Sequence, residues 1–304
     1  MMKYGYAMVF LAVFASCQSS GDSVRFRFQP EGQEAVKNRI EMEASSTLRL
    51  FTLIELRLAF TGDLEQTPEN PSPGQNQWIK LQLSQVGLDL GVDQNLFGNE
   101  QLAGQMQEQS QKMAARYEQE SIRVAYDELG VIQQLDPGMT TFEAADQDSL
   151  KAAAMNMERL LGANLLERLA NLHAVLPQKA VRIGDQWTSS HTQDMLGMPV
   201  KLTNTYTFSS RENGKATFDV TGLFAIDSAK LEEKGVQLPF DGMSLPNTDQ
   251  IRFLVKGTQK GQMVVDEKNG WTRSADLTQA VNMEFRLGAL TIPVTVQNSI
   301  RVLP

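Results

Sequence analysis

Few residues in this chain of 304 have types and neighbours that could do chemistry. Cys17 is the sole cysteine, and His173 and His191 are the two histidines. One thiol cannot form an intrachain disulfide, and a structural zinc site takes several thiolates or imidazoles, so no metal centre and no cofactor is expected. Ser189, Ser190, His191 and Asp194 gather the types of a nucleophile, a base and a carboxylate in one short stretch. A triad needs a base held by its carboxylate and aimed at the hydroxyl, and successive residues of an extended chain point different ways. There is no Gly-x-Ser-x-Gly elbow either, so a polar loop is the expectation there. His173 ends a helical pattern, where an imidazolium would meet the negative end of the helix dipole. Acids are numerous enough for a spatially assembled glycosidase pair, though few aromatics accompany them. Glycine-rich phosphate loops and Asp-rich calcium loops are absent from the sequence.

The thiol that remains sits in a telling context. Lys3 is the only charge in the first sixteen residues, and Tyr4 to Phe14 is an apolar run followed by Ala15, Ser16 and Cys17. The run is too short to span a bilayer, which takes about 20 residues, but suits the apolar core of a signal peptide. Phe14-Ala15-Ser16-Cys17 resembles the bacterial lipobox, with Phe14 in place of the commoner Leu. The resemblance implies a signal peptide over 1–16, diacylglyceryl transfer to the Cys17 thiol, and cleavage between Ser16 and Cys17. A multiply acylated cysteine anchors stably where one acyl chain does not. Residues 17–23 then form a small, polar, flexible tether. Gln18 stands where an aspartate would be the retention signal, which implies the outer membrane, facing the periplasm.

The net charge of −8 is spread along the chain without a Lys/Arg cluster, so nucleic acid is not an expected partner. A hydrophobic fraction of 41% is that of a globular protein.

Strand patterns dominate the remainder, 24–304. Thr47 to Phe60 reads as one long strand, with Leu48, Leu50, Ile54, Leu56, Leu58 and Phe60 on one face at period two. Trp78 to Leu90 reads as another, with a bulge near Gly87 where the apolar face switches. Ile122–Tyr126 and Val131–Leu135 form a hairpin across Glu128-Leu129-Gly130. Later strands are expected over Ala180–Trp187, Val200–Ser209, Lys215–Asp227, Ile251–Gly257, Gln262–Glu267, Trp271–Leu277, Ala280–Leu287 and Ile292–Leu303, with Asn213-Gly214, Lys260-Gly261 and Asn269-Gly270 as turns. Leu231 to Thr248 reads as a loop. Two helices interrupt this order. The first covers 100–119, and the second covers 141–173, where Leu150, Met157, Leu161, Leu165, Leu169 and Leu172 recur at helical spacing. The expected fold is therefore α+β: a long-stranded curved antiparallel sheet or open barrel, braced by central helices. Its two strand-rich halves are compatible with a degenerate duplication.

Pro177 to Trp187, with its Val181-x-x-Gly184-Asp185-x-Trp187 core, resembles a family of uncharacterised bacterial lipoproteins of unknown function. That family carries no activity to transfer. Read from its residues, Gly184-Asp185 is a turn and Trp187 a buried anchor. The leading expectation is a non-enzymatic envelope lipoprotein, held to the membrane by lipid on Cys17, that binds an apolar or amphipathic ligand against Leu50, Ile54, Leu56 and Leu58. The rivals are an envelope scaffold binding another protein through a solid fold, and a hydrolase.

Overall fold

The computed structural model describes residues 23–30, 34–49, 53–69, 76–92, 100–119, 121–136, 165, 168–195, 198–234, 251–287 and 290–304. Cys17, Ser16, Leu50 and most of the helix expected over 141–173 lie outside them.

Eleven strands form one open antiparallel sheet: β1 (Val36–Arg49), β2 (Leu53–Glu69), β3 (Gln77–Val92), β4 (Ser121–Tyr126), β5 (Ile132–Asp136), β6 (Gln186–Met195), β7 (Met198–Glu212), β8 (Lys215–Ile226), β9 (Ile251–Asp266), β10 (Thr272–Leu287) and β11 (Leu290–Leu303). Their order is β5-β4-β3-β2-β1-β11-β10-β9-β8-β7-β6. The chain meanders outward from β1, crosses to the far edge, and meanders back until β11 pairs with β1.

This corrects the α+β expectation: the fold is β-rich, and the described helices do not form a layer. Helix α1 (Glu100–Gln119) forms where expected, and among its described side chains Ser110, Met113 and Tyr117 are buried along one stripe. Such a stripe covers one strand, and α1 docks on β3, where the Val86 N–H donates to Glu118 Oε1 at 2.7 Å. Helix α2 (Ser228–Lys234) is short and runs from before the stretch expected to be loop into its first residues, Leu231 to Lys234.

Thr47 to Phe60 is a second correction. It is two strands: Leu48 pairs with Ile54 and Arg49 with Leu53 in the β1–β2 hairpin. The expected strands over 251–267 and 271–287 are, conversely, single long strands, β9 and β10. The β3 bulge is real: Gln85 and Val86 stand against Gly62 alone, with Gln85 at φ 52°.

One face of the sheet is apolar over most of its length, and a row of amides divides it. Asn204, Gly222, Gln259, Gln279, Asn298 and Ala44 are direct neighbours across β7, β8, β9, β10, β11 and β1. Gln259 Nε2 donates to Asn204 Oδ1 at 2.9 Å, passing over β8 where a Cβ on Gly222 would collide with the Asn204 amide. Gln279 Nε2 donates to Gln259 Oε1 at 2.6 Å, and the Asn298 side-chain amide meets Gln279 at 3.0 Å. To one side lies a cluster of Val200, Leu202, Phe224, Val281, Met283 and Val294. To the other lies the main core, from Ile40 and Phe60 to Phe208, Phe218 and Trp271.

The main core forms because the sheet curls there. Seven strand spacings separate β4 from β8, about 33 Å if flat. Yet Phe26 packs edge-on against Phe218 of β8, and Phe28, two residues later, against Tyr126 of β4. Residues 23–30 thus plug the curl. Residues 168–181 strap it: Tyr126 Oη donates to the Ala170 carbonyl at 2.6 Å, the Ala174 N–H to Thr272 Oγ1 at 3.0 Å, and Trp187 Nε1 to the Val175 carbonyl at 2.7 Å.

His173 is not the capping cation its position implies. It is buried among Phe28, Tyr126 and Trp271, with ring centroids 4.8, 5.1 and 5.0 Å away. Burial pushes its pKa from 6.5 down to about 3. The folded state therefore holds a neutral ring while the unfolded chain protonates near pH 6.5. This contribution is intact above pH 6.5 and is lost as pH falls toward 3. Between pH 6.5 and 5, above most carboxylate titrations, urea denaturation should show stability falling with pH. His173→Phe should flatten that slope, and an unchanged slope would assign it to other groups.

Candidate functional site

The face opposite the apolar core carries the concavity. Two rows of side chains run in register across six strands. One is Asp89, Ala59, Glu43, Ser299, Thr278 and Lys260; the other is Gly91, Arg57, Ser45, Gln297, Ala280 and Thr258. Together they line a cleft of about 1160 Å³. Its floor lies along the β1–β11 seam, with β2 and β3 forming one wall and β9 and β10 the other. A sheet that curls around a core on one face at one end and hollows on the other face in its middle is a saddle, the shape that twist gives to long strands.

The cleft exists because of side-chain size. Its lining is set with Ala, Ser, Thr and Gly, while Glu43, Asp89, Arg57 and Lys260 stand among and around them. Arg57 is tied to Glu55, Nη2 to Oε1 at 3.0 Å. Charges of both signs, hydroxyls and a Gln amide line it beside small apolar surfaces. Such a lining can hydrogen-bond a polar head and still accept short apolar contacts.

The described ones among the expected ligand-lining residues do not face the cleft: Leu58 borders it between Arg57 and Ala59, but by strand alternation its side chain belongs to the opposite face, in register with Ala44 and Leu90. Leu56 is on the same strand face as Leu58, half-buried, beside Leu90, which pairs with Leu58. Leu50 and the side chain of Ile54 lie outside the described residues. The chemistry-bearing rows, Glu43 and Asp89 to Lys260, were not anticipated. Each strand contributes one or two members, so only the pairing register reveals them.

The Ser-His-Asp stretch is not a loop but edge strand β6, and it assembles no triad. Ser190 Oγ is 2.9 Å from Thr203 Oγ1. His191 points to the other side of the strand, and burial lowers its pKa, partly offset by its hydrogen bond with Gln193.

The Val181-to-Trp187 stretch has the structural role expected of it. The Asp185 N–H donates to the Arg182 carbonyl at 2.9 Å, and the Arg182 N–H to Asp185 Oδ2 at 2.8 Å. Gly184 sits between them at φ 96°, as the third residue of a type II turn requires. Trp187 stacks on Tyr206 at 5.6 Å and meets Phe218 edge-on at 4.9 Å. The strand expected over 180–187 is reduced to an isolated bridge, Val24 with Val181, and then this turn.

Residues 127–272 match the model of a family of unknown function (DUF6263), a stretch that contains the Val181–Trp187 turn and anchor. No curated protein matches the chain. A structure described as lipid–protein interactions in lipovitellin is similar over 88% of this chain at 11% identity, with a TM-score of 0.42. The chain spans only 25% of that protein's length. The OccK7 (OpdD) structure from Pseudomonas aeruginosa is similar over 89% of this chain and 98% of its own, at 7% identity and a TM-score of 0.22. Both scores are too low to establish a shared fold.

Proposed function

We propose that this is a lipid-anchored protein of the bacterial cell envelope, held at the outer membrane by Cys17, that binds an amphipathic ligand in the sheet cleft without transforming it. The cleft carries the reading. Its volume suits a small-molecule ligand, and its lining mixes small apolar surfaces with charges of both signs. A bare hydrocarbon would strand those polar groups, whereas a ligand with a polar head would satisfy them. The N-terminal pattern from Lys3 to Cys17 supports the anchor.

Two variants test the two halves. Cys17→Ala should move the protein from the membrane to the soluble fraction and abolish labelling by radioactive palmitate. Retained label would overturn the anchor. In a soluble form with Cys17 replaced, native mass spectrometry should find a co-purifying ligand, and a fluorescent fatty acid should bind. Ala280→Trp, at an exposed position of the cleft wall on β10, should weaken that binding at least tenfold without lowering the melting temperature. The absence of both ligand and probe binding would leave the scaffold reading, which the solid aromatic core at the curled end favours.

A further inference from the structure

We propose that the Arg182–Asp185 turn rests on the membrane, with Ile183 entering the lipid interface beside the anchored tether. This inference rests on the lipid anchor at Cys17 and specifies how the fold sits on its membrane. Ile183 is 60% exposed, a large apolar side chain at the tip of a turn. The turn is held rigidly: besides its internal hydrogen bonds, the Gly184 N–H donates to the Phe208 carbonyl at 2.7 Å and the Phe208 N–H to the Asp185 carbonyl at 3.0 Å. An exposed isoleucine on a pinned turn loses little further freedom on entering an apolar phase, and gains the transfer of its surface from water.

The tether determines which phase that is. Val24 and Val181 exchange two backbone hydrogen bonds, 2.8 and 2.9 Å, in an antiparallel bridge. In such a bridge the residues before one partner run beside the residues after the other. Ser23 therefore leaves the fold alongside Arg182, heading toward Ile183. Seven Cα-to-Cα steps lead from Val24 to Cys17, a reach of at most about 25 Å. An acylated Cys17 thus keeps this end of the sheet at the bilayer. Charge agrees with that placement. Arg25, Lys179 and Arg182 are all exposed around the turn and outnumber its one carboxylate, Asp185, a local positive excess in a chain of net charge −8 that fits an anionic lipid surface.

The lone cysteine makes the test clean, because lipidation consumes its thiol. Ile183→Cys then offers a single free thiol for an environment-sensitive fluorophore, and Leu223→Cys, 67% exposed on β8, provides a control distant from the tether. The lipidated protein is reconstituted in vesicles of phosphatidylethanolamine and phosphatidylglycerol. A label at 183 should shift to the blue and be quenched by lipid-borne quenchers, several-fold more than a label at 223. Equal quenching at both sites, or a label at 183 as wet as that at 223, would overturn the contact. Mass spectrometry of the same sample separates the two failures. Lipid on Cys17 with a wet label defeats the contact alone, whereas an unmodified Cys17 defeats the anchor, and the contact with it.

Discussion

Phe28→Ala is expected to remove about 3–5 kcal/mol of stability, a large share of the roughly 5–15 kcal/mol that folded domains possess. Phe28 is fully buried and packs on Tyr126, His173 and Trp271. Its backbone N–H donates to the Glu128 carbonyl at 2.8 Å, and the next N–H, of Gln29, donates to the Asn269 carbonyl at 2.9 Å. The side chain thus joins the β4–β5 turn to the β9–β10 turn, which lie on opposite wings of the sheet. Removing the ring leaves a cavity, and the wings can collapse onto it only by breaking the curl that the strap residues 168–181 also hold. Urea denaturation should show a lower midpoint for Phe28→Ala, with Phe28→Leu losing well under half as much. A loss below about 1 kcal/mol for the alanine variant, within the range of surface substitutions, would mean that residues 23–30 do not plug the core.

The sequence foreshadows local features better than long-range ones. Asn213-Gly214 forms the β7–β8 hairpin turn, with both residues at positive φ, because two-residue hairpins demand that backbone. The β3 bulge was marked by its apolar residues changing parity around Gln85. The β1–β2 hairpin was hidden for the opposite reason. Leu48 and Leu50 continue in parity to Ile54 and Leu56, and Leu50-Phe51-Thr52 contains no turn residue, so period two runs unbroken through a reversal of direction. β9 and β10 were split because Gln259 and Gln279 interrupt their apolar faces and Gly261 imitates a turn. Those interruptions are the amide row, whose purpose is visible only across strands. The same holds for the cleft: Asp89, Glu43 and Lys260 are far apart in sequence and join one row through five antiparallel registers.

Gln279→Leu is expected to cost about 2–4 kcal/mol, although leucine is the better core residue by hydrophobicity. Gln279 is an inner member of the amide row, donating to Gln259 and meeting the Asn298 amide. Leucine would leave Gln259 Oε1 without that donor and the Asn298 amide without that partner, both inside the sheet, and each orphan costs about 1–3 kcal/mol. The row also addresses a problem particular to long strands. A slip of two residues between β9 and β10 keeps every side chain on its own face, so apolar alternation alone does not forbid it. With the row in place, such a slip sets Gln279 against Gly257 or Gly261 instead of Gln259 and breaks the chain of hydrogen bonds. Replacing Asn204, Gln259, Gln279 and Asn298 together by leucine removes all four amides and leaves no partner orphaned within the row. That variant should recover much of the stability lost by Gln279→Leu, while amide hydrogen exchange in β9 and β10 accelerates as registers become interchangeable. If the quadruple variant exchanges as slowly as the parent, the row does not set register; if Gln279→Leu costs nothing, the amides are not coupled as their distances indicate.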